Sequence, residues 1–119
     1  MGLALALGLT VGTAEAADKP VALIIAQGGL GDQSYNDLAY AGFQRATAAT
    51  KLEGKPVESK DVVAQAEDIL RRASDAGFGL VVDLEYSHGE PLAKVATSYP
   101  DRIVVRSWGN RCKYGYGIK

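Results

Sequence analysis

The sequence predicts an α/β fold, a parallel β-sheet with helices on both faces in the order βαβαβαβ. Three short apolar segments rich in Val, Ile and Leu, and a weaker strand signal at Pro56–Ser59, are separated by stretches whose apolar residues recur at helical spacing. Most of the apolar segments are uniformly hydrophobic rather than alternating, which is typical of parallel strands buried on both faces. A length of 119 residues fits one small domain.

The first strand and helix are predicted at Val21–Ala26 and Tyr35–Thr50. The strand is too short for a typical helix and carries β-branched residues near its centre. Asp32 or Ser34 is the predicted N-cap, because either side-chain oxygen can accept hydrogen bonds from the free amides of the first turn. The predicted buried face of the helix comprises Leu38, Ala39, Gly42, Phe43 and Ala46.

The second strand is predicted at Pro56–Ser59 and the second helix at Val62–Ala76. Asp61 is the predicted cap of this helix, and Gly77 suits the left-handed position that ends it. Its predicted buried stripe comprises Val62, Ala66, Ile69, Leu70 and Ala73.

The third strand is predicted at Leu80–Leu84, the third helix at Glu90–Ser98 and the fourth strand at Arg102–Val105. Pro91 falls in the first helical turn, where its missing amide is tolerated. From Arg106 the apolar pattern stops, so residues 106–119 are predicted to be an irregular tail that leaves the last strand an unpaired edge.

The N-terminal residues are predicted to be a signal peptide rather than part of the fold. Leu3–Val11 is apolar but too short to span a membrane. The small-x-small sequence Ala14-Glu15-Ala16 follows, which predicts residues 1–16 as a signal peptide cleaved after Ala16, although no basic residue precedes the apolar run. Cys112 is the only cysteine, so neither an internal disulfide nor a lipidated cysteine at the junction is expected. We therefore expect a soluble periplasmic protein that does not span the membrane, with residues 17–105 as its domain.

Charge and motif content exclude several function classes. A formal net charge of -1 gives no basic footprint for nucleic acid and no polybasic patch for a membrane surface. No clustered His, Cys or carboxylates predict a metal site, and no nucleophile elbow or Ser-His-Asp arrangement predicts an enzyme. No cofactor is expected. The single histidine, His88, is predicted to be solvated on a polar turn; a ligand contact is the less favoured alternative, because the residue follows the carboxyl end of a strand.

The candidate site follows the first strand. In open α/β sheets, ligands bind just outside the carboxyl ends of the strands. Glycines 28, 29 and 31 allow a sharp bend there, and the next residues supply a carboxylate, a hydroxyl, an aromatic ring and an amide. These side chains belong to Asp32, Ser34, Tyr35 and Asn36. From the residues alone, packing in the core is the favoured role of Tyr35, whereas Asp32 could be a helix cap, a ligand contact or both.

An alternative function uses the same turn as a phosphate cradle. The sequence Gly29-x-Gly31-x-x-Ser34 half-resembles the dinucleotide fingerprint, but its third glycine is replaced and no acidic residue ends the second strand. A P-loop is excluded because no Lys-Ser/Thr follows the glycines. An α/β enzyme or regulatory domain that binds a nucleotide or phosphate at the Gly28–Gly31 turn remains the alternative.

Two motifs carry a resemblance to a known family. Asp32-Gln-Ser-Tyr-Asn36 follows the glycine turn, and Leu92-Ala-Lys-Val-Ala-Thr-Ser-Tyr-Pro-Asp101 spans the third helix. In this order and spacing they resemble the basic membrane protein family, the substrate-binding proteins of ABC transporters that include purine-nucleoside receptors. The resemblance covers Lys19–Val105.

The resemblance implies the N-terminal lobe of a type I periplasmic-binding-protein-like fold, with most of a second lobe beyond this chain. It implies an extracytoplasmic solute-binding protein, with a nucleoside-like ligand bound between two lobes and the permease subunits of an ABC importer as partners. In this interpretation Tyr35 stacks on a flat ring, Asp32 and Asn36 hydrogen-bond its polar edges, and Gly31 and Ser34 shape the turn. Tyr86 and Ser87 flank the cleft.

The chain departs from the family pattern at two places. Glu85 and His88 stand where the family often has glycine and a further aromatic residue. Arg106-Ser107-Trp108 stands where the family often has an aspartate near a ligand hydroxyl. Both departures concern residues expected beside the ligand.

Overall fold

The fold consists of one parallel sheet and three α-helices. A computed structural model describes residues 19–107. Its strands are β1 Val21–Ile24, β2 Gly54–Val57, β3 Leu80–Asp83 and β4 Val104–Arg106. Its helices are α1 Tyr35–Thr50, α2 Ala66–Asp75 and α3 Gly89–Ala96, the last preceded by a 3-10 turn at Tyr86–His88. The predicted α/β class and element order are confirmed.

The strands are arranged in the spatial order β2-β1-β3-β4, and every pairing is parallel. β1 therefore lies in the interior of the sheet, and its four residues are all buried. β2 lies at an edge and is largely exposed, and it contains Pro56, which has no N–H to donate to a further strand.

Helices cover both faces of the sheet, as predicted. On one face, α1 packs over Leu23, Ile25 and Leu84 through side chains of its inward surface. On the other face, α2 and α3 pack over a larger cluster that includes Ala22, Ile24, Val81 and Val104. All five residues of the predicted α2 stripe are buried. None of the helices within residues 19–107 is long and apolar enough to cross a membrane.

The helix α2 starts later than predicted, at Ala66 instead of Val62. The prediction that Asp61 caps this helix is wrong, because Gln65 occupies the N-cap position. Asp61 Oδ1 instead accepts a hydrogen bond from the Ala64 N–H at 3.1 Å within the preceding turn. The Val62 carbonyl, however, accepts from the ring of His88 at 2.8 Å. A carbonyl committed to that bond is turned away from the helical ladder, so residues 61–65 form a turn.

The inward face of α1 also differs from the prediction. Leu38 is 74% exposed, whereas Ala39, Tyr40 and Phe43 pack against the sheet. The reason is Asn36, which is buried under the loop that precedes the helix. With 3.6 residues per turn, fixing position 36 inward directs Tyr40 and Phe43 inward and Leu38 outward.

Smaller differences concern the ends of elements. β2 begins and ends two residues earlier than predicted, and α3 begins at Gly89 and ends at Ala96. β4 includes Arg106, so the predicted tail does not begin at that residue. Residues 108–119 and the predicted signal peptide lie outside the described residues.

Candidate functional site

The candidate site lies where the strand order changes direction. From β1 the chain passes first to β2 on one side and later to β3 on the other. Ile24 at the end of β1 is in register with Asp83 at the end of β3. The loops that leave these two carboxyl ends therefore diverge at a topological switch point, the usual ligand position in open α/β sheets.

The loop after β1 bends as predicted. Gly28, Gly29 and Gly31 have φ angles of +106°, +72° and +91°, which residues with a Cβ rarely adopt. Gln33 also has a positive φ of 52°. A non-glycine residue in this region is uncommon and is held there by its surroundings.

Two carboxylates hold the bend by accepting hydrogen bonds from its backbone. Asp32 accepts from the N–H groups of Ser34 and Asn36 at 2.9 Å and of Asp37 at 3.1 Å. Asp37 accepts in turn from Gly31 at 2.7 Å and Gln33 at 2.9 Å. Hydrogen bonds from Asn36 and Ser34 hold the pKa of Asp32 below its usual value. Asp32, rather than Ser34, therefore caps α1.

Asn36 is enclosed beneath the loop, with 1% of its surface exposed. Its Oδ1 accepts from the Ala26 N–H at 3.0 Å, and its Nδ2 donates to the carbonyls of Gly29 at 3.0 Å and Ala26 at 3.3 Å. The structure thus assigns Asn36 the task of bracing the loop, and its contact with a ligand stays a prediction.

Glu85 joins the two loops. Its Oε2 accepts from the Gln27 N–H at 2.8 Å, and its Oε1 accepts from the Ser87 N–H at 2.9 Å and the Ser87 hydroxyl at 2.8 Å. Burial by itself would raise the pKa of Glu85, but these three donors outweigh it and lower that pKa. A buried carboxylate thus fixes the distance between the loop after β1 and the turn after β3.

Tyr35 lies at the start of α1, and its hydroxyl reaches the residues that follow β3 and β4. Its hydroxyl donates to the Leu84 carbonyl at 3.3 Å and lies 2.6 Å from Ser107 Oγ. With 36% of its surface exposed, the residue is anchored at its hydroxyl yet accessible to solvent. This is a suitable geometry for a stacking platform.

The other predicted site residues lie on the same edge of the sheet. Gly31, Asp32, Ser34 and Ser87 are exposed, and Tyr86 is 69% exposed on the 3-10 turn. The Tyr86 carbonyl accepts from Arg106 Nη1 at 2.8 Å. The sequence-predicted residues therefore lie at one edge of the sheet, and their contact with a ligand stays a prediction.

Sequence reasoning missed the roles of Glu85 and Ser107. In the sequence, each position differs from the family pattern, and this difference is the one signal that could have indicated a special role. Glu85 replaces a neutral residue with a carboxylate that clamps two loops, and Ser107 supplies the hydroxyl that contacts Tyr35.

The prediction that His88 is solvated is wrong. Its ring has no exposed surface, and it lies between Asp83 and the Val62 carbonyl, each 2.8 Å from one ring nitrogen. The position is buried because α3 turns back over the end of β3 and the turn before α2 closes over it. A polar neighbourhood in sequence does not reveal this packing.

The glycine turn is poorly suited to an anion. A phosphate cradle needs free backbone N–H groups, but those of Gln27, Leu30, Gly31 and Gln33 already donate to carboxylates of this chain. The carboxylates themselves would repel a phosphate. Within residues 19–107, no group of three or more His, Cys, Asp or Glu side chains could hold a metal ion.

The sequence is similar to parts of longer archaeal lipoproteins. The chain is 32% identical over 88 residues to an uncharacterized lipoprotein of Pyrococcus abyssi and 33% identical over 84 residues to one of Pyrococcus horikoshii. The matches cover 74% and 69% of this chain but span only 22% and 20% of those relatives. No protein-family profile matches the sequence.

Solved structures give a similar result. An ABC transporter solute-binding protein from Aeropyrum pernix K1 superimposes with a TM-score of 0.62 at 28% identity, covering 77% of this chain and 26% of that one. A solute-binding protein of an ABC transporter system from Conexibacter woesei gives a TM-score of 0.59 at 29% identity, covering 71% and 28%. The fold is thus that of one part of a periplasmic binding protein.

Proposed function

We propose that this chain forms the N-terminal lobe of an extracytoplasmic solute-binding protein of an ABC importer, in the basic membrane protein family. The observation that supports this most is the clamped pair of loops at the switch point. Glu85 ties them together, and Tyr35 presents a half-exposed ring beside them. The function of the similar solute-binding proteins agrees with this geometry.

The proposed ligand is nucleoside-like and carries no phosphate. A flat ring would stack on Tyr35, and polar edges of the ligand would meet Asp32, Ser34 and Ser87, with Asn36 and Gly31 holding the loop. The Glu85, Asp32 and Asp37 carboxylates favour a neutral ligand, because an anion would meet negative charge and occupied N–H groups. Because these backbone N–H groups already donate to carboxylates, they also argue against the alternative function, an enzyme or regulatory domain that binds a phosphate at this turn.

Closure of a second lobe over this edge would sequester the ligand, and the closed form would be presented to the permease subunits. The role is binding and release rather than catalysis. The location follows from the same proposal: a signal peptide of residues 1–16, cleaved after Ala16, would deliver the protein to the periplasm. N-terminal sequencing of the exported protein should then begin at Ala17.

The test is a titration of the 15N-labelled chain with adenosine, inosine, guanosine and uridine, each beside its 5′-monophosphate. We expect amide shifts for a nucleoside at residues 31–36 and 86–87, weak in affinity, and smaller shifts for the monophosphate. Tyr35→Ala should remove the response. Leu38→Ala, which changes an exposed residue of the same helix, should leave it intact.

Two outcomes would contradict the proposal. A monophosphate that binds at residues 28–31 more tightly than its nucleoside would favour the alternative function. If the spectrum is that of a folded chain and no nucleoside shifts any amide signal, the proposal of a nucleoside-like ligand is refuted.

A further inference from the structure

Asp83 and His88 are ionisable side chains with no exposed surface, and they contact each other. His88 Nδ1 lies 2.8 Å from Asp83 Oδ2, and His88 Nε2 lies 2.8 Å from the Val62 carbonyl oxygen. Both ring nitrogens thus face oxygen acceptors. A neutral imidazole has only one N–H and one lone pair, so this arrangement needs one more proton than a neutral ring and a carboxylate carry together.

Loss of that proton would leave one ring nitrogen with its lone pair facing an oxygen: the Val62 carbonyl if Nδ1 keeps its hydrogen, or the Asp83 carboxylate if Nε2 keeps it. Either way the enclosed pair would carry a net negative charge. Burying an unpaired charge is strongly unfavourable. Opening the contact between Asp83 and His88 would let water solvate both groups and so remove this cost. The geometry alone therefore couples a proton to the packing of three segments: the end of β3, the 3-10 turn and the turn before α2.

The surrounding charges strengthen this coupling. Burial would lower the pKa of His88, but the hydrogen bond and charge of Asp83, the Val62 carbonyl and the charge of Glu85 together raise it. On the β4 side, the Arg106 guanidinium binds the Tyr86 carbonyl and stands close to Gly89. In the turn before α2, the Asp61 carboxylate is bound to the Ala64 N–H.

The pair is connected directly to the candidate site. Asp83 Oδ1 accepts from the Glu85 N–H at 3.0 Å. Glu85 in turn accepts from Gln27 in one loop and from Ser87 in the other. Movement of Asp83 would therefore displace the residue that holds the two loops together.

We propose that Asp83 and His88 form a proton-dependent latch that positions Glu85 and thereby the two ligand-site loops. When the pair holds its proton, the 3-10 turn is fixed and the loops are clamped. When the proton leaves, the turn opens and the clamp loosens. The latch stands whether or not a nucleoside is the ligand, so its test uses no ligand.

The first measurement is on the unmodified chain between pH 6 and 9. The ring 15N shifts of His88 should report an imidazolium at pH 6.5. Protection factors for the Gln27 and Ser87 amides should fall together, by about tenfold per pH unit between the unfolded pKa of histidine near 6.5 and the raised folded pKa of His88. The Val21 amide, bound to the Glu53 carbonyl at the other end of β1, is the internal reference and should keep its protection factor.

The second measurement separates a latch from a merely structural contact. In Asp83→Asn, the new amide can donate to a neutral Nδ1 while its oxygen still accepts from Glu85. This variant should keep Gln27 and Ser87 protected at pH 8–9, where the unmodified chain has lost protection. His88→Gln should remove the pH dependence of protection over the same range.

The proposal is overturned if His88 loses its proton while Gln27 and Ser87 keep their protection. It is also overturned if Asp83→Asn shows the same pH dependence as the unmodified chain. Should both variants fail to fold, the titration of the unmodified chain still decides between the two outcomes.

Discussion

The carboxylate of Glu85 accepts a hydrogen bond from the backbone N–H of Gln27, 58 positions earlier in the chain, at 2.8 Å. This single contact links the loops that follow two neighbouring parallel strands. Together with the bonds from Ser87, it holds the loop after β1 beside the turn after β3. The separation of the two loops is thus set by a side chain buried behind the site, whereas Asp32 and Asp37 hold the bend within the first loop.

Removing the Glu85 clamp should destabilise the fold and separate the loops. Glu85→Ala leaves three donors without their acceptor, but water can replace it for the two donors of the exposed Ser87. The Gln27 bond remains, and a hydrogen bond to a charged group contributes about 1.5–3 kcal/mol. We expect a loss of about 2 kcal/mol in the free energy of unfolding, measured by urea denaturation. Glu90→Gln, at an exposed residue of α3, is the control and should change stability by less than about 0.5 kcal/mol. Equal effects of the two changes would refute the clamp.

Acid should weaken the loops first. The pKa values of Asp32 and Glu85 are lowered in the folded state. Groups of this kind contribute stability that is present above their unfolded pKa and lost as pH falls through the folded pKa. The unfolding free energy should therefore drop below about pH 4, and the drop should be smaller in Asp32→Asn and Glu85→Gln. Thermal unfolding between pH 2.5 and 6 measures this, and identical acid profiles in all three proteins would count against it.

Alkaline pH should also lower the stability of the fold, in this case because His88 loses its proton. A raised folded pKa means that the stabilisation is complete below the unfolded value near 6.5 and is lost as pH rises through the folded pKa. The melting temperature of the unmodified chain should therefore fall between pH 6.5 and 9, and it should fall less in His88→Gln. A melting temperature that rises over this range would contradict the assignment.

Gly54 should not tolerate a side chain. A Cβ at this position would lie 2.8 Å from Phe43 Cε1 and 2.8 Å from Thr47 Cγ2, so α1 would have to move away from β2. Gly54→Ala should destabilise the fold by about 1–3 kcal/mol, as overpacking does. Gly42→Ala lies in α1, where the nearest atom is the end of the Arg45 side chain at 3.8 Å. It should be neutral or stabilising by up to about 1 kcal/mol. Chemical denaturation of the two variants compares them directly.

The hydroxyls of Tyr35 and Ser107 should be energetically coupled, because they lie 2.6 Å apart. Tyr35→Phe and Ser107→Ala should each lower stability by about 0.5–1.5 kcal/mol. The double variant should lose less than the sum, and the double-mutant cycle gives the coupling energy. Strict additivity would mean that the hydroxyl contact contributes nothing.

Part of this site could be predicted from the sequence because it depends on local chemistry. Glycines at 28, 29 and 31 predict a bend, and the residue types that follow limit the helix cap to Asp32 or Ser34. The residues that brace the site from behind could not be predicted. Glu85 and Asn36 act on partners 58 and 10 positions away, and nothing in their own neighbourhood specifies those partners.

The sequence by itself determined the class of fold, the order of its elements and the buried stripe of α2. These depend on apolar spacing and on glycine and proline, which act over a few residues. Only the tertiary structure decided the strand order β2-β1-β3-β4, the outward position of Leu38 and the burial of His88. These depend on which segments meet across the sheet. Where the local pattern allows two helix faces or two turns of similar stability, buried hydrogen bonds select one of them. Asn36 sets the rotation of α1 in this way, and the hydrogen bond of the Val62 carbonyl delays the start of α2.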